Sequence, residues 1–520
     1  MCAALAACGQ RSGPQAKDGP AVQIRVETDG TATQLEHSVA VPLELAMNFP
    51  GAKRVHSVTV PGRVVVTVEL ANGDVFAARR EIFDRLQRVD LPPGVHPELG
   101  PYTIATGAVL RYALHGDGAS PVELRTVQDW LVRPALTSVQ GVVAVATCGG
   151  AVEQIELIVD PSRLGPMTIL ELANAIAREI DGTRGQMTLD DLGNSVVGTV
   201  AGVPLIVRNI AEIQRSAAAP TCYVIDDRGA EIVEGIVGMA PNQDPAIVRA
   251  AVTQRLAELA PALPPAVSLD VMPDSIDAVI DLGGATFAEQ MQAARSFGNA
   301  LRGEHATIAV GDLDDGFTTS LPGALRMRLQ AAPDLAMRVR RVPGGGKVAI
   351  AGEPSAWIRI SGESLDELAR IADAIATLPS IDVLARAGLA RGPATRVEID
   401  RASAARHGIH ASDLLDVIRA SGPGVPAGTI IEGRRRIDVV LRVRGAVAEL
   451  TIKSSSGAVI PIAQVATLRI DDEPTAILRD GGRRWAGVQV SIADAAGRRA
   501  LLAQLRSLAR PPGYVVELVE

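Results

Sequence analysis

Few side chains in this sequence have the type and spacing that could do chemistry. His407 and His410, in "ARHGIH", stand close together in a connector that leads into a helical pattern. Such a pair can chelate a metal ion, but no third ligand stands near it in the chain, and solvated loop histidines are the plainer account. "GDLDDG", Gly311 to Gly316, gathers three carboxylates in one loop. It has neither the ligand number nor the closing glutamate of a calcium loop, so a solvated turn explains it. "PGGGK", Pro343 to Lys347, fails the spacing of a phosphate-binding loop and has no Ser or Thr after the lysine, which leaves a hinge. Ser, His and Asp occur without a nucleophile-elbow signature. No catalytic constellation is present, so neither enzyme activity nor a cofactor is expected.

The four cysteines, Cys2, Cys8, Cys148 and Cys222, show no paired spacing, which argues against a zinc ribbon or a redox motif. Cys148 and Cys222 each lie in or beside a predicted strand. They are either isolated or, in an oxidising compartment, joined as a disulfide. "LAAC", Leu5 to Cys8, has the form of the end of a bacterial lipoprotein signal, which would make Cys8 the site of lipid attachment. The basic and apolar segments of a full signal do not precede it. The expectation therefore takes Met1 as an internal methionine of a longer signal, with a chance Ala-rich start as the alternative. Residues 9–20 then form a short tether.

The elements that position these residues belong to a chain of 520 residues, long enough for several ordinary domains. Apolar residues make up 47% but aromatics only 2%, so the cores must be built from Val, Ile, Leu and Ala. The net charge of −8 with scattered Lys and Arg gives no basic face and argues against nucleic-acid binding. No apolar run reaches the roughly 18 residues of a membrane-spanning helix.

Strand and helix patterns alternate at the spacing of split β-α-β units. "AVQIRVETDG" reads as a strand, Thr33 to Met47 as a helix, and "VHSVTV" with "RVVVTVEL" as a hairpin around Pro61 and Gly62. Val75, Phe76, Ile82, Phe83, Leu86 and Val89 form one helical face behind Asp74 as N-cap. Pro134 is expected to bend or end the helix that carries Trp130, a residue better read as a helix anchor than as a ligand stacker. Ser364 and Glu367 have the spacing of a capping box.

The sequence also repeats itself. "LPPGV" at Leu91, "LPPAV" at Leu263 and "PPGYV" at Pro511 each follow an amphipathic helix. Ile155–Ile176 echoes Arg396–Ile418, with Asp160 matching Asp400. Gly202–Ile213 echoes Gly457–Leu468, and "RRRIDVVLRVRG" at Arg434–Gly445 sits where the second copy carries an insertion. The pattern is a tandem duplication with its seam in Met272–Ser275, between the strand runs Val267–Val271 and Ile276–Asp281.

Phrases such as "VAVPLELAMNFPG", "ARREIFDRLQRVDLPPGVHPELGP", "ELRTVQDWLVRPALTSVQGVVAV", "VEIDRASAARHGI" and "EGRRRIDVVLRV" follow one another in an order that resembles the resistance-nodulation-division (RND) efflux permeases, heavy-metal (copper and cobalt-zinc-cadmium) branch. The resemblance covers most of Val22–Glu520. It implies an α+β fold of duplicated ferredoxin-like porter subdomains with reduced docking subdomains. The boundaries it implies are a tether at 1–20 and porter subdomains at 21–102, at 103–183 with 220–273, at 274–342, and at 343–430 with 475–520. Docking segments then fall at 184–219 and 431–474.

The transmembrane helices that the resemblance calls for before Val22, between Pro273 and Ile276, and after Glu520 are not in the sequence. The expected role is therefore a soluble periplasmic porter-domain protein on a lipid anchor, a binding or accessory module that does not pump alone. A degenerate remnant that only makes protein contacts, or an excised periplasmic fragment of a full transporter, are the alternatives. Implied partners are an efflux adaptor, an outer-membrane channel or a full-length permease, and implied ligands are a metal cation or a hydrophobic small molecule. Oligomeric state is left open. The copper branch uses cleft methionines as soft ligands. Met337 and, ten residues earlier, Met327 are the candidates, although Arg338, Arg340 and Arg341 around Met337 repel a cation and favour an anion. Core or surface methionine is the alternative.

Overall fold

The structure is a computed structural model that describes residues 21–71, 75–103, 109–164, 167–200, 202–240, 243–272, 275–281, 287–302, 306–311, 324–330, 347–350, 355–379, 381–443, 450–454, 456–492 and 494–519. The chain divides into two compact units. The first comprises 1–150, 221–392 and 472–520, and the second 151–220 and 393–471.

In the first unit, strands from both ends of the chain share one nine-stranded sheet. Its path runs Val515–Val519, Ser355–Gly362, Arg483–Ser491, Ile477–Asp480, Ala52–Val60, Arg63–Leu70, Ala21–Glu27 and Glu98–Thr103, with Val383–Ala387 paired to Arg483–Ser491. The two halves join where Ala52–Val60 meets Ile477–Asp480, His56 opposite Asp480 and Thr59 opposite Ile477. Val-rich alternation builds the core on one face: Val22, Ile24, Val26, Val64, Val66 and Val68 are all buried. A four-stranded sheet follows in the order Val267–Val271, Leu110–Gly116, Val233–Met239 and Val142–Cys148. A five-stranded sheet follows in the order Cys222–Ile225, Thr307–Gly311, Ala324–Gln330, Ser275–Asp281 and Lys347–Ile350. The two strand runs that flank the seam thus enter different sheets and do not pair as a hairpin.

Two helices carry the same unusual feature. The helical stretch from Ala32 widens at Glu36–Ala40, where the Val41 amide donates to the Glu36 carbonyl, and resumes as Val41–Ala46. The stretch from Pro121 widens at Gln128–Val132, where the Arg133 amide donates to the Gln128 carbonyl, and resumes as Arg133–Thr137. Each wide turn directly precedes a proline segment, Pro42 or Pro134. Proline has no N–H, and its ring crowds the carbonyl four residues back; one extra residue in the turn relieves both. Pro134 therefore neither ends the helix nor leaves it regular.

Sequence periodicity also groups Phe76 and Phe83 with the buried face of Val75–Leu86. The structure buries Val75, Ile82 and Leu86 but leaves Phe76 71% and Phe83 53% exposed. The sheet is covered by the narrower stripe, which is enough for a helix packed on one side. Asp74 lies outside the described residues. At Leu365–Ala376, Ser364 caps the Glu367 amide, but its own N–H donates to the Tyr514 hydroxyl at 3.0 Å, so the capping box is half made by another element.

The second unit centres on a four-stranded sheet, Ala211–Ala217, Glu153–Val159, Arg435–Val443 and Val425–Glu432. The basic strand Arg435–Val443 pairs in parallel with Glu153–Val159, and Glu153 and Glu156 face Arg435 and Arg442 as ion pairs. Helix Ile169–Gly182 packs on Val425–Glu432. This packing places residues 151–183 and 393–430 in one compact unit with 184–219 and 431–471. The sequence echoes have matching geometry here. The Asp160 amide donates to the Ile210 carbonyl and the Asp400 amide to the Val465 carbonyl, both at 2.9 Å. Gly202 and Gly457, which open the two echoing segments, have φ of 81° and 84°, a left-handed turn that favours glycine.

Candidate functional site

The described sequence candidates lie on separate elements. His407 follows the short helix Arg401–Arg406, and His410 is the N-cap of Ala411–Ser421 without a side-chain capping bond. Met327 lies in strand Ala324–Gln330, while Met337, Cys8 and most of "GDLDDG" and "PGGGK" lie outside the described residues. Among the described residues no group of three or more His, Cys, Asp and Glu side chains could hold a metal ion. Cys148 and Cys222 form a disulfide, with their Cα atoms 5.2 Å apart.

The densest chemistry in the first unit lies at the join of the two halves, where charged side chains occupy both faces of the sheet. On one face, Arg479 reaches Glu36 at 2.9 Å and both oxygens of Glu44 at 3.1 Å. Arg484 also holds Glu36, through Nε at 2.7 Å. The Ser57 hydroxyl donates to Glu44 at 2.5 Å. Glu36, Glu44 and Arg479 are all buried. On the other face, Asp480 accepts from Arg54 and pairs with Arg359, whose guanidinium lies 5.3 Å from the Trp485 ring centre. Arg54 also binds Glu69, and His56 lies 3.7 Å from the same carboxylate. Arg479 and Asp480 are neighbours in one strand, and strand alternation sends them to opposite faces.

The wide turn before Pro42 is what lets Glu36 and Glu44 share Arg479. In a regular helix, residues eight apart point about 80° away from each other. The extra residue in the wide turn removes about one residue's rotation and brings the two carboxylates onto nearly one face.

Burial alone would raise the Glu36 carboxyl, but hydrogen bonds from Arg484 and Arg479 hold it below its ordinary value. Glu44 is raised by burial, which Ser57 and Arg479 only partly offset. Asp480 is also pushed up by burial, and Arg54 and Arg359 bring it below the usual range. Burial, aided by the Arg54 charge, lowers His56 to about 4, so it is neutral in the folded chain. The cluster is a charge-balanced tie between residues more than 400 positions apart. Sequence inspection passes over it because "ILRDGGRRW" resembles an exposed turn. Its available signal is an acidic residue inside an apolar helical stretch, six positions before a proline.

The second helix repeats the device with neutral groups. The Tyr112 hydroxyl donates to buried Gln128 at 2.9 Å, and Gln128 donates to Thr147 at 3.0 Å. Trp130 sits in this wide turn and is half-buried, a placement compatible with an anchor.

No described helix is long and apolar enough to cross a membrane. A family model described as "AcrB/AcrD/AcrF family" matches residues 14–281 and 326–510. The cation efflux system protein CzcA of Alcaligenes sp. (strain CT14) is 29% identical over 283 residues, which are 48% of this chain and 26% of that protein. The cation efflux system protein CusA of Escherichia coli O157:H7 is 30% identical over 292 residues, 50% of this chain and 28% of that protein. The chain thus spans about a quarter of the length of the curated relatives it matches. In fold, the chain resembles the crystal structure of a heavy metal efflux pump (crystal form II), with a TM-score of 0.82 and 17% identity, over 96% of this chain and 78% of that one.

Proposed function

The chain belongs to the AcrB/AcrD/AcrF family, and from that premise we propose that it is a periplasm-facing porter module of a heavy-metal efflux-type system, binding an efflux substrate and contacting partner proteins. One observation carries this: the family model matches the chain on both sides of the seam, and the relatives matched are named for cation efflux. The first unit corresponds in this proposal to duplicated ferredoxin-like porter subdomains. The second unit, 151–220 with 393–471, corresponds to the docking part. The matched turns at Gly202 and Gly457 support duplication. The buried disulfide suits an oxidising compartment, which supports the periplasmic placement.

The substrate class is a transition-metal cation, with a hydrophobic small molecule as the other ligand to test. The partners are an adaptor, an outer-membrane channel or a full-length permease. The lipid anchor at Cys8 belongs to the same proposal, and a globomycin-induced change in processing tests it. Substrate binding is tested by thermal shift of the full chain with Cu(I), Ag(I), Zn(II) and Co(II), alongside a panel of hydrophobic drugs. A second reading, a remnant that supplies protein contacts only, is favoured by Arg338, Arg340 and Arg341 beside Met337, since three guanidinium groups disfavour a cation there. Under that reading the panel is flat while an adaptor still co-purifies.

A further inference from the structure

We propose that the Cys148–Cys222 disulfide is a redox-dependent clasp that holds a strand of the first half in a sheet otherwise built by the second half. Cys222–Ile225 is a four-residue edge strand, and the other four strands of its sheet come at or after the seam. Its ladder is four residue pairs with Thr307–Gly311, Cys222 opposite Gly311. The chain that follows adds one backbone bond, from the Ile232 amide to the Val224 carbonyl, and a bridge between Ile225 and Glu231, both beyond the Cys222 end of this short strand.

The two cysteines pack among Ala113, Ala146 and Ala309, with Val224, Ile232 and Ile236 completing the cluster. Both cysteines are buried, at 0% and 4% exposure.

The partner end of the clasp is fixed. Cys148 ends strand Val142–Cys148, and the chain leaves through Gly149 and Gly150 with φ of 90° and 66°. A Cβ at Gly149 would lie 2.2 Å from the Ile232 carbonyl oxygen, and one at Gly150 would lie 2.7 Å from that of Pro121. Only glycine fits this exit, so Cys148 is an anchored post. Between the two cysteines, residues 151–220 run through the second unit. Without the bond, Cys222 would be tied to the sheet of Cys148 only through the turn 226–232, which leads into Val233–Met239, where Glu234 lies opposite Cys148.

The redox step is thiol–disulfide exchange. A thiolate of an external dithiol attacks one Sγ, and the Sγ–Sγ bond breaks. The other cysteine leaves as a thiolate, and the dithiol's second thiolate then attacks the mixed disulfide and displaces the first cysteine, leaving two protein thiols and an oxidised dithiol. The reverse step takes two electrons from Cys148 and Cys222 and gives them to a protein disulfide oxidant. Burial restricts both directions to the open strand, so the clasp is set during folding and is stable once closed.

Hydrogen exchange read by mass spectrometry on the full chain tests this, comparing the oxidised protein with C148A/C222A. The expected result is one cross-linked Cys148–Cys222 peptide in the oxidised protein. In the variant, protection at 222–225 and 307–311 should fall at least tenfold, while Ala21–Glu27 and Arg63–Leu70 keep theirs. A second variant, C148A/C222V, refills part of the lost volume and should show the same local loss. Unchanged protection at 222–225 in both variants overturns the proposal. So does uniform loss across all sheets in both, or free thiols in protein matured in an oxidising compartment.

Discussion

Arg479 carries the join between the halves of this chain through two charged partners and one carbonyl. It binds Glu36, Glu44 and the Gly482 carbonyl, and removing it leaves buried Glu44 without a cation, held by Ser57 alone, while Glu36 keeps only Arg484. Arg479→Ala should therefore destabilise the chain by about 3–5 kcal/mol, the usual result of breaking a buried ion pair from one side. A urea titration at pH 7 measures it, and a loss within about 0.5 kcal/mol would mean that water replaces the guanidinium.

His56 gives a second test. Unfolded, it takes a proton near 6.5; folded, only near about 4. Between those values the unfolded state binds more protons, so stability falls as pH drops through this window. The loss is at most about 3 kcal/mol. His56→Gln should flatten the pH dependence between 6.5 and 4, and parallel curves for both proteins would show that His56 protonates freely. Neither residue stands out in the sequence, because the partners of Arg479 lie more than 400 positions away and its neighbours "DGGRR" have the composition of a solvated turn.

At the scale of elements, local chemistry was legible and its exceptions have physical causes. The hairpin around Pro61 and Gly62 forms as its turn residues predict, Val60 opposite Arg63. The three "PP" echoes make one turn, with amides of Val95, Val267 and Tyr514 donating to carbonyls of Pro92, Pro264 and Pro511. The wide turns were not legible, since a proline within a helical pattern ordinarily signals a bend or an end, and only the buried polar partners of Glu36 and Gln128 distinguish this outcome. The half-made capping box at Ser364 has the same origin: the missing acceptor is Tyr514, 150 positions away. Tyr514→Phe should cost about 1 kcal/mol, as expected for one hydrogen bond. Chemical denaturation gives the total loss and amide exchange at Ser364 locates it, while unchanged exchange there would show that the amide bonds water equally well.

For the whole molecule, the repeat and the resemblance led to the expectation of a seam in Met272–Ser275, and the strands that flank it enter separate sheets. The sharing of one nine-stranded sheet between the ends of the chain was beyond local pattern, because strand pairing across hundreds of residues leaves no periodic signal. The candidate ligands Met327, Met337, His407 and His410 remain residue-type readings, and the described structure builds no multi-ligand centre from the histidines.

The most direct measurement is the melting temperature of the full chain against the metal and drug panel. A cation held at about a hundred times its dissociation constant stabilises by about 2.7 kcal/mol, which is about 2–3 degrees for a chain of this length unfolding as one. The account predicts a saturable rise with at least one transition-metal cation. That rise should be reduced in the Met327→Ala/Met337→Ala variant if those thioethers are ligands. A flat response to every metal and drug would contradict the substrate-binding role and leave the chain as a module of protein contacts alone.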